Sequence, residues 1–275
     1  MLGVGESSGQ VVLGTVGSKA ADLAITLNGS GKFDLGDSSY TLGWQEADGK
    51  QQLVLEASIK GSEWIGAGDT ALWISEETCV DAFGTGAEVL AGMAWKGSEE
   101  PSAKKENANF LGEGDSEVTI YGKVTPAHLR VDTTGSYTIK GNSITGSDVE
   151  PELAATGRLN LLTGTLNIEI GKASFAGRGE NGELMTSVVA AGTELNIGNS
   201  LQKSDVSIHG GLEIAGDATI ANLSQLTVTE GDVTVTGTLT VEGDRTVNNG
   251  TPDYSKRGTL VADSLTNAGG KVTVN

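Results

Sequence analysis

Over residues 211–243 apolar residues recur in pairs, one residue apart, and the pairs follow each other closely. They are Leu212/Ile214, Ala218/Ile220, Leu226/Val228, Val233/Val235 and Leu239/Val241. Each pair marks a short strand, because alternation sends both side chains to one face. Successive pairs begin six to eight residues apart, and Gly216-Asp217, Glu230-Gly231-Asp232 and Glu242-Gly243-Asp244 supply turn material between them. Three such strands use about twenty residues, near the length of one solenoid coil. Strands of a meander or sandwich are longer and are spaced about 8–12 residues apart. The spacing predicts an all-β chain wound as a parallel β-helix, with a β-sandwich as the alternative.

The same texture extends upstream, through Gly157-Arg158-Leu159-Asn160-Leu161, Gly164-Thr165-Leu166-Asn167-Ile168-Glu169-Ile170 and Gly192-Thr193-Glu194-Leu195-Asn196-Ile197-Gly198. A second echo links Ala221-Asn222-Leu223-Ser224 to Ala262-Asp263-Ser264-Leu265, each placing an isolated leucine at a bend before a Val/Thr strand. Asparagine at a bend can hydrogen-bond its stacked neighbours. The first half alternates less regularly, in Leu23–Leu27, Phe33–Leu35, Tyr40–Leu42, Leu53–Leu55, Val118–Tyr121 and Ser136–Ile139, and holds all four tryptophans, Trp44, Trp64, Trp73 and Trp95. Solenoids need atypical terminal coils to cover the open end of the core. Residues 1–130 are therefore expected to form an irregular β region containing a cap or inserted subdomain, and 131–275 the regular coils. Residues 76–94 are the best helix candidate, weakened by their glycines. Residues 96–107 and 247–258 read as loops, either insertions carrying a binding surface or tolerated excursions.

Composition fits stacked short strands. Only 4% of the 275 residues are aromatic and 41 are glycine, so Val, Ile, Leu, Ala and Thr must fill the interior. The net charge of -18 provides no basic face for phosphates, which excludes nucleic acid as the expected partner, and an anionic membrane surface would repel the chain. No segment has the apolar length of a membrane span, so no membrane insertion is expected. The N-terminus lacks the basic and apolar regions of a signal peptide, so an exported form of this chain is expected to be a mature or excised fragment. The single cysteine, Cys79, rules out an intramolecular disulfide and is expected to be a buried thiol, with His128 and His209 far from it in sequence.

The run Gly237-Thr238-Leu239-Thr240-Val241-Glu242-Gly243 and the tail Gly258-Thr259-Leu260-Val261-Ala262-Asp263-Ser264-Leu265-Thr266-Asn267-Ala268-Gly269-Gly270 resemble passenger repeats of bacterial autotransporters and filamentous adhesins. The resemblance covers roughly residues 150–275. It implies a right-handed parallel β-helix, a location outside the cell or on the bacterial surface, and adhesion to a host or matrix surface protein or a glycan. The chain lacks the C-terminal membrane barrel of a full autotransporter and a recognisable passenger protease.

Catalytic and metal chemistry leave few candidates. Glu113, Asp115 and Glu117 alternate; on a strand they would share one face, and three like charges there suit Ca²⁺, or form a solvated acidic turn. No other cofactor is expected. Polysaccharide lyases and hydrolases also use this fold, and Arg178, Glu180 and Glu183, or Asp205 and His209, are the groupings such an enzyme would draw on. Gly177-Arg178-Gly179-Glu180-Asn181-Gly182 matches G-x-G-x-x-G, but a dinucleotide site needs a strand before it and a helix after it; a glycine-rich bend is the competing reading. The expected function is structural or adhesive and non-catalytic. The alternatives are a polysaccharide lyase or hydrolase, and a phage fibre segment, which would be trimeric.

Overall fold

A computed structural model of the chain describes residues 9–16, 32–35, 38–47, 50–59, 61–66, 72–83, 89–96, 100–143, 149–179, 182–243, 247–248, 251–252 and 257–274. Contacts divide the chain into two units, 1–60 and 61–275. In the first, Gly9–Val16, Lys32–Leu35, Ser38–Ala47 and Lys50–Ile59 form a four-stranded antiparallel sheet. Three of the expected alternating segments lie on its strands, as does Trp44; Leu23–Leu27 falls outside the described residues.

The second unit is a long parallel sheet of 18 strands. Its pairings resolve into three columns that the chain visits in turn. The first column takes Ser62–Glu63, Ala108–Gly112, residues 129–133, residues 159–163, Ser187–Val189, Leu212–Ile214, residues 232–235 and residues 264–267. The second takes Leu72–Ile74, Ser116–Tyr121, residues 137–142, residues 165–169, Glu194–Ile197, Asp217–Ile220, Thr238–Val241 and Lys271–Val274. The third takes Lys123–Val124, Glu152–Ala155, Lys172–Phe175, Asp205–His209, residues 225–229 and residues 259–262.

The short period of the sequence is visible in the register. Leu212 pairs with Val233 and Asp217 with Thr238, in each case 21 residues on. Where a rung carries extra residues the step lengthens, as from Thr238 to Lys271. The inserted chain there includes an antiparallel pairing of Val247–Asn248 with Thr251–Pro252.

Alternation sorts each strand into inward and outward side chains. All five sequence pairs point inward and are buried. Stacking then aligns like with like: Val118, Ile139, Ile168, Ile197, Ile220 and Val241 form one aliphatic ladder up the second column. Every fully buried Val or Ile contributes about 1.5–3 kcal/mol. In the last rung Leu265 is 44% and Val274 69% exposed, because no described strand pairs along its outer edge.

The first rungs are filled differently. Trp64, Trp73 and Trp95 pack with Phe110, with Trp95 edge-on to both other indoles at 5.1 Å. Phe110 then meets Tyr137 at 5.1 Å. The expected helix is two: Glu76–Phe83 and Val89–Gly92, with 84–88 outside the described residues. Cys79 is fully buried against this region, clustered with Ile74 and Ala91. The expected loop 96–107 contains a short helix, Pro101–Lys104.

One echo is out of register. Leu223 stands at a bend, whereas Leu265 lies within strand Thr259–Asn267 and pairs with Val233. The rung between them is lengthened by the insertion, so matching sequence texture does not mean matching position.

Candidate functional site

The bends and outward stripes carry the polar chemistry, because inward positions are aliphatic. Glu113 and Asp115 do not extend the strand that holds Glu117. They occupy a bend between Gly112 and Ser116, where Gly112 and Gly114 take left-handed backbone. Asp115 accepts from the Ser136 amide at 3.0 Å and the Ser136 hydroxyl at 2.7 Å, capping the bend of the next rung. Glu117 accepts from Lys140 at 2.6 Å, and that hydrogen bond raises the lysine's pKa. Glu113 is exposed. Among the described residues no three His, Cys, Asp or Glu side chains gather as metal ligands would. Two of the three acidic residues are thus occupied in cross-rung contacts.

Around the G-x-G-x-x-G string, of which residues 180 and 181 lie outside the described residues, the chain is held by short-range backbone hydrogen bonds. Gly179 donates to Glu183 O at 2.9 Å, Met185 donates to Gly177 O at 2.8 Å, and strand Ser187–Val189 follows where a nucleotide site needs a helix. Gly177 has φ 59°, and a Cβ there would overlap the carbonyl oxygen of His209. Its glycine is required by stacking on the next rung rather than by a phosphate.

One residue from each grouping proposed for an enzyme, Arg178 and His209, lies on the same bend line, between the third and first columns. Arg178 contacts Glu230 at 2.8 Å across the one intervening rung, and both side chains are half exposed. His209 is half-buried at the end of its strand, with Nδ1 2.9 Å from the Thr229 hydroxyl. The Glu230 amide donates to Asp263 at 3.0 Å, and Ser264 donates to Asp232. Glu230 holds φ 62°, a strained conformation for a residue with a Cβ. Asp205 lies at the other end of the His209 strand and pairs with Lys203 at 3.0 Å; Glu180 falls outside the described residues. Arg178, His209, Glu230 and Asp263 thus lie along one bend line among the described residues.

The outward stripes are more regular. In the second column Thr138, Asn167, Asn196, Thr219, Thr240 and Thr273 align rung by rung. Asn167 Nδ2 donates to Thr138 Oγ1 and Asn196 Nδ2 to Asn167 Oδ1, each at 3.0 Å. In the first column Arg130 is fully buried although alternation turns it outward, and its guanidinium meets Asp132 at 3.0 Å. In the third column Lys123, Glu152, Lys172 and Asp205 align with alternating sign. Sequence reasoning missed this last set because insertions make its spacing irregular; only the register exposes it.

Compared with family models, curated proteins and solved structures, the chain matches none. No helix among the described residues is long and apolar enough to cross a membrane.

Proposed function

We propose that the chain is a non-catalytic structural or adhesive protein: a right-handed parallel β-helix, displayed or secreted by a bacterium, that holds binding bends on a rigid stalk. The observation that carries this reading is the three-column parallel register over one continuous apolar interior. Connections between parallel strands of one sheet are right-handed in nearly all proteins, which supports the handedness. Repeated coils spend the interior on stacking, so sequence is free to vary only on bends and outward stripes. Extra residues enter on bends, as before Lys271. Recognition by such a protein is passive, and its partner is a host or matrix surface protein or a glycan. Surface location and adhesion come from the resemblance of the repeats to autotransporter passengers.

The test is binding of the labelled protein to immobilised glycans and extracellular-matrix proteins, beside a variant carrying Arg178→Ala and Glu230→Ala. Saturable binding without change in the ligand supports the proposal; loss of binding in the variant assigns it to that bend line. Release of reducing ends or unsaturated sugars from a polysaccharide overturns it in favour of a lyase or hydrolase. A trimer in light scattering, with no glycan or matrix binding, overturns it in favour of a fibre segment.

A further inference from the structure

The charged stripe of the third column crosses a lengthened rung, where chain length gives little help in finding the register. Lys123 pairs in register with Glu152, 29 residues on, whereas Glu152 pairs with Lys172 after only 20. The longer rung places its extra residues shortly before Glu152, so chain length does not dictate where strand Glu152–Ala155 docks. The inward residues Leu153 and Ala155 fix which face goes in. They leave a slip of two residues open, because such a slip preserves the alternation.

Glu152 removes that freedom. Its carboxylate contacts Lys123 at 3.5 Å on the rung before and Lys172 at 2.9 Å on the rung after, and its side chain is only 18% exposed. One carboxylate thus bridges three rungs. The other charges close by are Glu150, exposed in the segment leading to the strand, and the Lys203–Asp205 pair one rung beyond Lys172. A slip that brought Glu150 to the lysines would also put Pro151 into the ladder, where it has no N–H to donate.

We propose that Glu152 is an acid-sensitive clamp, locking the register of the strand that follows the insertion and releasing its leading edge when the carboxylate is protonated. Burial alone raises the carboxyl pKa, but hydrogen bonds and charge from Lys172 and Lys123 outweigh it, so the group titrates below its ordinary value. The clamp is therefore complete above the unfolded-state value and is lost as pH falls through the lower folded value. With Glu152 neutral, Lys123 and Lys172 face one another without the intervening charge, and the strand's first hydrogen bonds open to solvent.

Hydrogen exchange on the full chain tests this. The readout is a peptide covering residues 149–156, corrected for the intrinsic pH dependence of exchange, with a peptide covering 205–209 as control. At neutral pH, Glu152→Gln is expected to exchange roughly fivefold faster in 149–156, with the control unchanged. Wild type should lose protection there as pH falls below the ordinary carboxylate range, and the variant should show no such loss. A Lys123→Met/Lys172→Met variant, which keeps aliphatic stems on the rungs, must abolish the same pH dependence, and it serves if Glu152→Gln fails to fold. Protection in either variant that falls with pH as in wild type overturns the proposal. So does wild-type protection that stays constant through the carboxylate range.

Discussion

Ile168 shows how a single side chain contributes to the stack. It is fully buried, between Ile139 on one rung and Ile197 on the next, and it faces the interior shared by all three columns. Truncating it removes contacts on both rungs and leaves a cavity that stiff parallel strands cannot collapse around. Ile168→Ala is expected to destabilise the second unit by about 3 kcal/mol, read as a shift in the denaturant midpoint at constant m-value. A loss under about 1 kcal/mol would mean that the ladder is not continuous there. The inward residues were legible in the sequence because alternation alone identifies them. Glu152 and Asp115 were not legible in the same way. Their partners lie 20 or more residues away, at separations that change with each insertion, and no local pattern encodes that distance.

At the level of elements, the regular strands were readable and the irregular ones were not. Leu212–Ile214, Asp217–Ile220 and Thr238–Val241 coincide with the apolar pairs, because their bends are short enough to keep the period constant. Earlier rungs have the same construction hidden by inserted chain: Ser62–Glu63 already belongs to the first column, although Ala108, its partner, comes 46 residues later. Lengthened rungs also occur beyond residue 130, as from Lys172 to Asp205, and contacts divide the chain after Lys60. The aromatic cluster performs in these early rungs what aliphatic ladders do later. Trp95 bridges Trp64 and Trp73 and is 1% exposed, so Trp95→Ala is expected to cost about 3–5 kcal/mol. Near-ultraviolet circular dichroism and melting of the variant check this. An unchanged melt would show that the cluster only covers the stack without supporting it. The acidic trio failed as a strand pattern for a local reason: Gly112 and Gly114, with positive φ, turn the chain before Ser116.

For the second unit, the central claim is that strands close in sequence belong to different columns, while strands 20 or more residues apart, on successive rungs, are direct neighbours. A sandwich or meander makes the opposite arrangement, pairing each strand with the next. Thr219 distinguishes the two. It pairs in register with Thr240, and both side chains point outward from the second column; Thr227, much nearer in sequence, lies on the third column. Directly paired positions on adjacent strands are about 4.8 Å apart, within the span of a disulfide. The decisive measurement is disulfide formation under mild oxidation, by mass spectrometry, in Thr219→Cys/Thr240→Cys and Thr219→Cys/Thr227→Cys, both with Cys79→Ala. The parallel stack predicts that the 219/240 pair closes rapidly within one chain and that the 219/227 pair stays reduced. Closure of the 219/227 pair, with 219/240 reduced, would contradict it.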